Sequence, residues 1–114
     1  MPLQKFHYRS PRFSIDLPLQ IKIADATVVA RGRKISHEGM MVEFQEPIER
    51  NSSGFITLSH RDQSIDVQVR VARTDGKVGG LVFVFDSDVQ KADVARLVAS
   101  MIARQSGHRP ILLQ

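Results

Sequence analysis

The stretch QSIDVQVRVARTDGKVGGLVFVF, residues 63–85, carries the clearest structural pattern in the sequence. Its first half has an apolar residue at every second position, which predicts a strand with one buried face: Ile65, Val67, Val69 and Val71. Asp75 and Gly76 form the Asp-Gly pair that is favoured in tight hairpins. The second half, residues 78–85, is apolar on both faces, which predicts a strand covered on both sides. Gly79 and Gly80 predict a bulge or bend within it.

Four shorter segments upstream of this hairpin also have strand patterns. The first and third alternate between apolar and other residues, with these positions on one face: Leu19, Ile21 and Ile23, then Met40, Val42 and Phe44. The second covers residues 26–36, where β-branched residues are followed by basic ones. Residues 55–59 form a short fourth strand that ends at the polar turn HRDQ. The sequence therefore predicts six short, mostly antiparallel strands.

Residues 86–105, DSDVQKADVARLVASMIARQ, predict one amphipathic helix after the last strand. Ser87 and Gln90 are three residues apart, as in a capping box, and acidic residues beside them suit the positive end of the helix dipole. The helix has a single apolar stripe, made of Val94, Leu97, Val98, Met101 and Ile102. Gly107 and Pro110 predict its end.

These elements predict a mainly β protein, a six-stranded antiparallel β-barrel with one C-terminal α-helix over an opening or flank. Residues 1–14 mix basic, aromatic, Pro and Ser residues without a period, which predicts a flexible basic N-terminal arm. We expect residues 15–106 to form the barrel and helix, and residues 107–114 to form a tail.

The composition narrows the classes of function. The 114 residues include no cysteine, which excludes disulfides, thiolate nucleophiles and sulfur-rich zinc sites. The net charge of +4 is uneven, because residues 1–34 contain seven basic and two acidic side chains. The electrostatic field of this basic segment attracts anionic partners, but it does not determine which kind of anion binds. Because neither a secretory signal nor a long apolar span is apparent, we expect a cytoplasmic protein without membrane insertion.

The sequence gives little support for catalysis, so we expect a protein that is not an enzyme and has no metal or other cofactor. The four histidines lack metal-ligand spacing and are expected in solvated loops: His7, His37, His60 and His108. No pair of carboxylates is placed as an acid and a base, and Ser36 has no base aimed at it. Phosphate-binding loops and dinucleotide-binding glycine patterns are absent.

Two short motifs stand out from this background. YRSPRF, residues 8–13, has Arg9 and Arg12 on either side of a Ser-Pro pair just before the first strand. KISHEG, residues 34–39, lies at the corner between the second and third strands. A guanidinium group can bind phosphate oxygens or the O6/N7 edge of guanine, and it can stack on a base. The two motifs together therefore favour a negatively charged ligand.

Both motifs resemble those of the PilZ family, bacterial domains that bind the second messenger cyclic di-GMP. The resemblance covers most of the chain, including GGLVFVFDSDVQKADVARLV, residues 79–98, which looks like the family's last strand and helix. In that family an RxxxR motif lies on the arm, a [D/N]xSxxG motif lies at the corner, and the arm folds over the ligand. The resemblance implies a cyclic di-GMP site made of Arg9, Arg12, Ser36 and Gly39, with Tyr8, Arg33 and Lys34 as additional contacts.

The two motifs depart from the family pattern. Arg9 and Arg12 give RxxR, since Tyr8 stands four residues before Arg12 and Lys5 stands four before Arg9. Lys34 occupies the position of the Asp or Asn, and an ammonium group can only donate hydrogen bonds. A lost bidentate arginine contact and a lost acceptor, at about 1–3 kcal/mol each, predict binding weaker by roughly 10²- to 10⁴-fold.

Simpler roles are also open for these residues. Arg9 and Arg12 can belong to a solvated arm, and Arg31, Arg33 and Lys34 can be polar positions on the rim of a barrel. Turn chemistry accounts for the corner if its glycine takes a positive φ and the serine hydroxyl bonds to its own backbone.

Two functional hypotheses follow. In the first, the protein is a cyclic di-GMP receptor that presents an altered surface to an effector protein, in a process such as motility or biofilm formation. In the second, it is a degenerate PilZ module that acts by protein–protein interaction without the nucleotide. A nucleic-acid-binding barrel is a weaker third option, because aromatic residues such as Phe6 and Tyr8 lie on the arm and not on strands. We expect no DNA binding and either a monomer or a dimer.

Overall fold

The computed structural model describes residues 12–113, with side chains from residue 12 to residue 103. Six strands precede one helix. Their bounds are β1 Phe13–Ile23, β2 Ala26–Ile35, β3 Gly39–Phe44, β4 Ser53–His60, β5 Gln63–Asp75, β6 Val78–Val84 and α1 Asp88–Leu113. The strands close into an antiparallel barrel in the order β1-β2-β3-β6-β5-β4. The predicted six-stranded barrel with a C-terminal helix is confirmed.

The interior of the barrel is filled by the apolar positions that alternate along the strands. Val67, Val69 and Val71 on β5 are at most 1% exposed, as the alternation predicted. The buried stripe of α1, from Val94 to Met101, belongs to the same core. Because α1 contacts β4 and β5, the helix covers one side of the barrel and joins its core.

The start of α1 matches its predicted cap. The backbone N–H of Gln90 donates to Ser87 Oγ at 3.0 Å, and Gln90 Oε1 accepts from the backbone N–H of Asp86 at 2.8 Å. The side-chain amide of Gln90 also donates to the Asp66 carbonyl on β5 at 3.0 Å. These bonds satisfy N–H groups at the helix start and attach it to the barrel.

The predicted end of the helix is wrong. Gly107 and Pro110 both lie inside α1, which continues to Leu113. A glycine ends a helix when it takes the left-handed conformation, whereas the backbone here remains helical through both residues. Glycine and proline lower helix propensity, but by themselves they do not set the end.

The prediction for the sixth strand also needs correction. The outward side chains of β6 are not covered, since Val78, Val82 and Val84 are 38%, 37% and 37% exposed. A closed barrel has one interior, and β6 alternates between it and the surface like its neighbours. The register shift near Gly79 and Gly80 is present, but the extra residue, Ala72, is on β5. The glycines of β6 therefore lie opposite a bulge on the adjacent strand.

Candidate functional site

The corner between β2 and β3 is held by Ser36, which is 6% exposed. Its backbone N–H donates to the Gly39 carbonyl at 2.9 Å, and its Oγ accepts from the Glu38 backbone N–H at 3.1 Å. The Glu38 carbonyl in turn accepts from the backbone N–H of Phe83 on β6 at 3.0 Å. The expected bond from the serine hydroxyl to its own backbone is confirmed, and the corner is tied to β6.

Gly39 is required for a reason that differs from the prediction. Its φ lies outside the left-handed region, so the expected positive φ is wrong. A Cβ atom at this position would lie 2.1 Å from the Leu81 carbonyl oxygen. Because β3 pairs with β6 there, the backbone of β6 occupies the space that a side chain would need.

A cavity of about 460 Å³ lies beside this corner. Its lining includes Arg12, Ser36 and Gly39, so three of the four main predicted site residues meet at one place. Phe85, directly after β6, adds an aromatic side chain to the lining, and its ring centroid lies 6.0 Å from that of Phe83. The volume is within the range of small-molecule sites. Arg9 and Tyr8 lie outside the described residues.

The two other predicted contacts are not part of the cavity lining. Arg33 binds Glu43 on β3 through Nε at 2.9 Å and Nη2 at 2.8 Å, and its Nη1 lies 3.6 Å from Asp16. Lys34 is exposed on β2, where it pairs with Ser14 and Met41 in the backbone register. The position of Lys34 follows from a bulge, since Arg33 is an extra residue between the pairs that Gly32 and Lys34 make with β3, and regular alternation from the buried Gly32 would have pointed Lys34 inward.

Arg31 and Arg33 form a surface network with Asp16 and Glu43, which we call the β2 ion-pair cluster. The hydrogen bond from Arg31 to Asp16, together with the charges of both arginines, lowers the pKa of Asp16 below its ordinary value. The side chains of the β2 ion-pair cluster are about half exposed, so solvent screens the attraction between their charges. Much of the positive charge that the sequence places on β2 is thereby balanced by carboxylates.

Sequence reasoning missed two basic residues in the cavity. Arg73 near the end of β5 and Lys91 in the first turn of α1 both line it, and β6 separates β5 from the β2–β3 corner. In the sequence, Arg73 is simply a polar residue before the turn TDGK. The glycine pair at residues 79–80 was the available signal, because it lies opposite the bulge that precedes Arg73.

The described residues contain no group of three or more His, Asp or Glu side chains that could hold a metal ion. Within the same part of the chain, no helix has the length and apolar character needed to cross a membrane. On the outer surface, Phe55 on β4 is 55% exposed, which gives one strand the exposed aromatic residue that the sequence did not predict.

Comparison with known proteins agrees with this geometry. The family model described as PilZ domain matches residues 7–100. A crystal structure of the PilZ domain of CeSA from a cellulose-synthesizing bacterium is similar, with a TM-score of 0.69 and 20% identity. That likeness covers 81% of this chain and 98% of the other, and at this identity it shows the fold. A search of curated proteins found no match. Because the family model spans most of the chain, this protein belongs to the PilZ domain family.

Proposed function

We propose that this protein is a cytoplasmic receptor or adaptor that binds cyclic di-GMP in the cavity beside the β2–β3 corner. PilZ domains in general form a family of cyclic di-GMP receptors. In this proposal Arg12, Ser36 and Gly39 contact the ligand, and Arg9 and Tyr8 reach it from the arm. The arm closes over the nucleotide and changes the surface that the protein offers to an effector protein.

The observation that carries the proposal is the meeting of two separate motifs at one cavity. Arg12 precedes β1 and Ser36 follows β2, yet both line the same space of about 460 Å³. A guanidinium group at its edge can bind a phosphate through two hydrogen bonds or recognise the edge of a guanine. The buried Ser36 and the backbone of Gly39 give the adjacent corner a fixed shape.

The position of Arg12 also supports closure by the arm. Arg12 lies directly before β1 and lines the cavity, so the segment before it joins the described chain at a residue of the site. A scaffold that positions a preceding segment in this way suits a ligand-binding loop. Ordering of that segment on binding would alter the adjacent surface, which is the output that the proposal assigns to the protein.

Calorimetric titration with cyclic di-GMP tests this function, and Arg12→Ala is the decisive variant. We expect saturable binding by the wild type and an affinity about 10- to 100-fold lower in Arg12→Ala, from the loss of a bidentate contact. Arg33→Ala is the matched control, because its guanidinium is also exposed but lies outside the cavity lining, where Glu43 and Asp16 bind it. We expect it to change affinity by less than about threefold. Equal effects of the two variants would contradict the assigned site.

A degenerate PilZ module that binds proteins without the nucleotide is the second candidate. It is supported by Lys34, which replaces the acceptor of the family motif, and by apolar side chains on the outer surface. Phe55 and Val84 are 55% and 37% exposed, and both are adjacent to Gln68 across neighbouring strands. A flat titration at hundredfold excess of cyclic di-GMP would favour this candidate.

A further inference from the structure

The bulge on β5 turns Arg73 away from the core. Val71 points into the barrel and is 1% exposed, so regular alternation would point Arg73 inward as well. Ala72 is an extra residue between the pairs Val71–Leu81 and Arg73–Gly80, and it shifts the alternation by one position. Arg73 is consequently exposed and lines the cavity.

Gly80 on β6 gives the Arg73 side chain a surface on which to lie. A Cβ atom at Gly80 would lie 3.7 Å from Arg73 Cβ, 3.9 Å from its Cγ and 3.9 Å from its Nε. The arginine side chain therefore runs close over the backbone of β6, from its own Cβ as far as the start of the guanidinium group. These are ordinary van der Waals distances, so the Arg73 side chain lies alongside β6 at position 80.

The charges that line the cavity are not balanced by one another. Three basic residues, Arg12, Arg73 and Lys91, face one carboxylate, that of Glu38, which gives the lining a net charge of +2. Within the described residues, neither Arg73 nor Lys91 forms an ion pair. Arg73 and Lys91 therefore retain their attraction for an anion such as a phosphodiester group.

We infer that Arg73, assisted by Lys91, binds a phosphodiester group of the ligand from the wall opposite Arg12. The inference rests on the proposed function and adds residues that neither family motif contains. Arg73 supplies a guanidinium from β5 where the RxxR motif departs from RxxxR on the arm. One phosphodiester then lies on the arm side near Arg12, and the other lies between β5 and the start of α1.

Titration of Arg73→Ala with cyclic di-GMP tests the inference, with Arg70→Ala as the matched control. Arg70 is an exposed arginine on the same strand and is not part of the cavity lining. We expect Arg73→Ala to weaken binding about 10- to 100-fold, as for the loss of a charged hydrogen-bonding group, and Arg70→Ala to weaken it less than about threefold. Arg73→Lys keeps the charge but not the planar fork, so we expect an intermediate affinity. Lys91→Ala should lower affinity less than Arg73→Ala does.

Two further readouts separate a ligand contact from a structural role. Thermal unfolding midpoints should be the same for the wild type, Arg73→Ala and Arg70→Ala, because both arginines are exposed. The ³¹P resonances of bound cyclic di-GMP should differ between the wild type and Arg73→Lys, and be unchanged by Arg70→Ala. If Arg73→Ala proves unstable, the affinity and ³¹P shift of Arg73→Lys decide the question.

The outcomes distinguish this inference from the proposed function. A wild type that does not bind cyclic di-GMP overturns both. Binding that is weakened by Arg12→Ala but is the same in Arg73→Ala and Arg70→Ala overturns the inference alone. A loss specific to Arg73→Ala, with a changed ³¹P shift in Arg73→Lys, supports both.

Discussion

Arg33 on β2 and Arg73 on β5 both lie on the outer surface beside a β-bulge, but their surroundings differ. Arg33 is held by Glu43 and Asp16 in the β2 ion-pair cluster, whereas Arg73 lines a cavity and forms no ion pair within the described residues. The bulges act alike on the backbone. The two sites differ because neighbouring strands provide carboxylates for Arg33 and not for Arg73. A high density of basic residues in the sequence is therefore not enough to locate an anion-binding site.

The largest contrast between these two regions should come from their glycines. In Gly39→Ala the new Cβ would meet the Leu81 carbonyl oxygen at 2.1 Å, and backbone must move. In Gly32→Ala it would meet Met40 Cε at 2.8 Å and Ile15 Cδ1 at 3.2 Å, which are ends of side chains that can shift. We expect Gly39→Ala to lower the free energy of unfolding by about 3 kcal/mol or more and Gly32→Ala by about 1 kcal/mol.

Urea unfolding of the two glycine variants measures this difference. The wild type and both variants should be compared at one pH and salt concentration, with affinity for cyclic di-GMP measured on whatever remains folded. Equal destabilisation of the two variants would mean that the corner beside the cavity is no more tightly packed than β2 at Gly32.

A smaller effect is expected from Ser36→Ala at the same corner. The substitution removes the acceptor of the Glu38 backbone N–H at a position that is 6% exposed, and we expect a loss of about 1–2 kcal/mol in unfolding free energy. Ser59→Ala is the control, because the Ser59 hydroxyl bonds to Ser64 at 2.8 Å on the exposed surface, and it should cost less than about 0.5 kcal/mol. Similar losses of unfolding free energy in the two variants would show that the buried hydrogen bond at the corner contributes no more to stability than the exposed one.

We expect the smallest effect from the β2 ion-pair cluster. It concerns how the free energy of unfolding changes at acidic pH. Arg31 lowers the pKa of Asp16 in the folded state, and in the unfolded chain this pKa returns to about 4. Ionised Asp16 therefore stabilises the fold above about pH 4, and the contribution is lost as the pH falls through the lower folded pKa. We expect wild type and Asp16→Asn to differ by a small, constant amount near neutral pH and to converge below pH ~4.

Denaturant unfolding at several pH values checks this convergence. High salt should also reduce the difference at neutral pH, since the carboxylate and its partners are exposed. A gap between wild type and Asp16→Asn that widens on acidification would contradict the assigned ion pairs. Affinity for cyclic di-GMP should remain nearly unchanged in Asp16→Asn, because Asp16 does not line the cavity.

The regular part of the fold could be predicted from the sequence because it depends on local periodicity. Alternating apolar residues indicated the strands, and the pair Ser87 and Gln90 indicated the start of the helix. The apolar residues on both faces of β6 also predicted a strand that is covered on both sides. That prediction is wrong, because the second apolar face lies at the surface of the barrel. Gly107 and Pro110 did not end the helix, since neither residue changes its helical backbone.

The site was predictable only in part, because it depends on register. Arg12, Ser36 and Gly39 belong to short motifs that could be recognised in the sequence, and they do meet at one cavity. The bulge at Ala72 changes which side chains of β5 share a face, and the glycine pair at residues 79–80 was its only signal in the sequence. The sequence offered Arg33 as a ligand contact because of its positive charge near the corner, and it overlooked Arg73 as a polar residue before the turn TDGK.

Titration of isotopically labelled protein with cyclic di-GMP, followed by backbone amide NMR, tests most directly whether the cavity and not the basic surface of β2 binds the nucleotide. We predict large, saturable shifts for the amides of Ser36, Gly39 and Gly80, and small ones for those of Gly32 and Glu43. The account would be contradicted by shifts confined to the β2 ion-pair cluster, or by a spectrum that does not change at a large excess of the nucleotide.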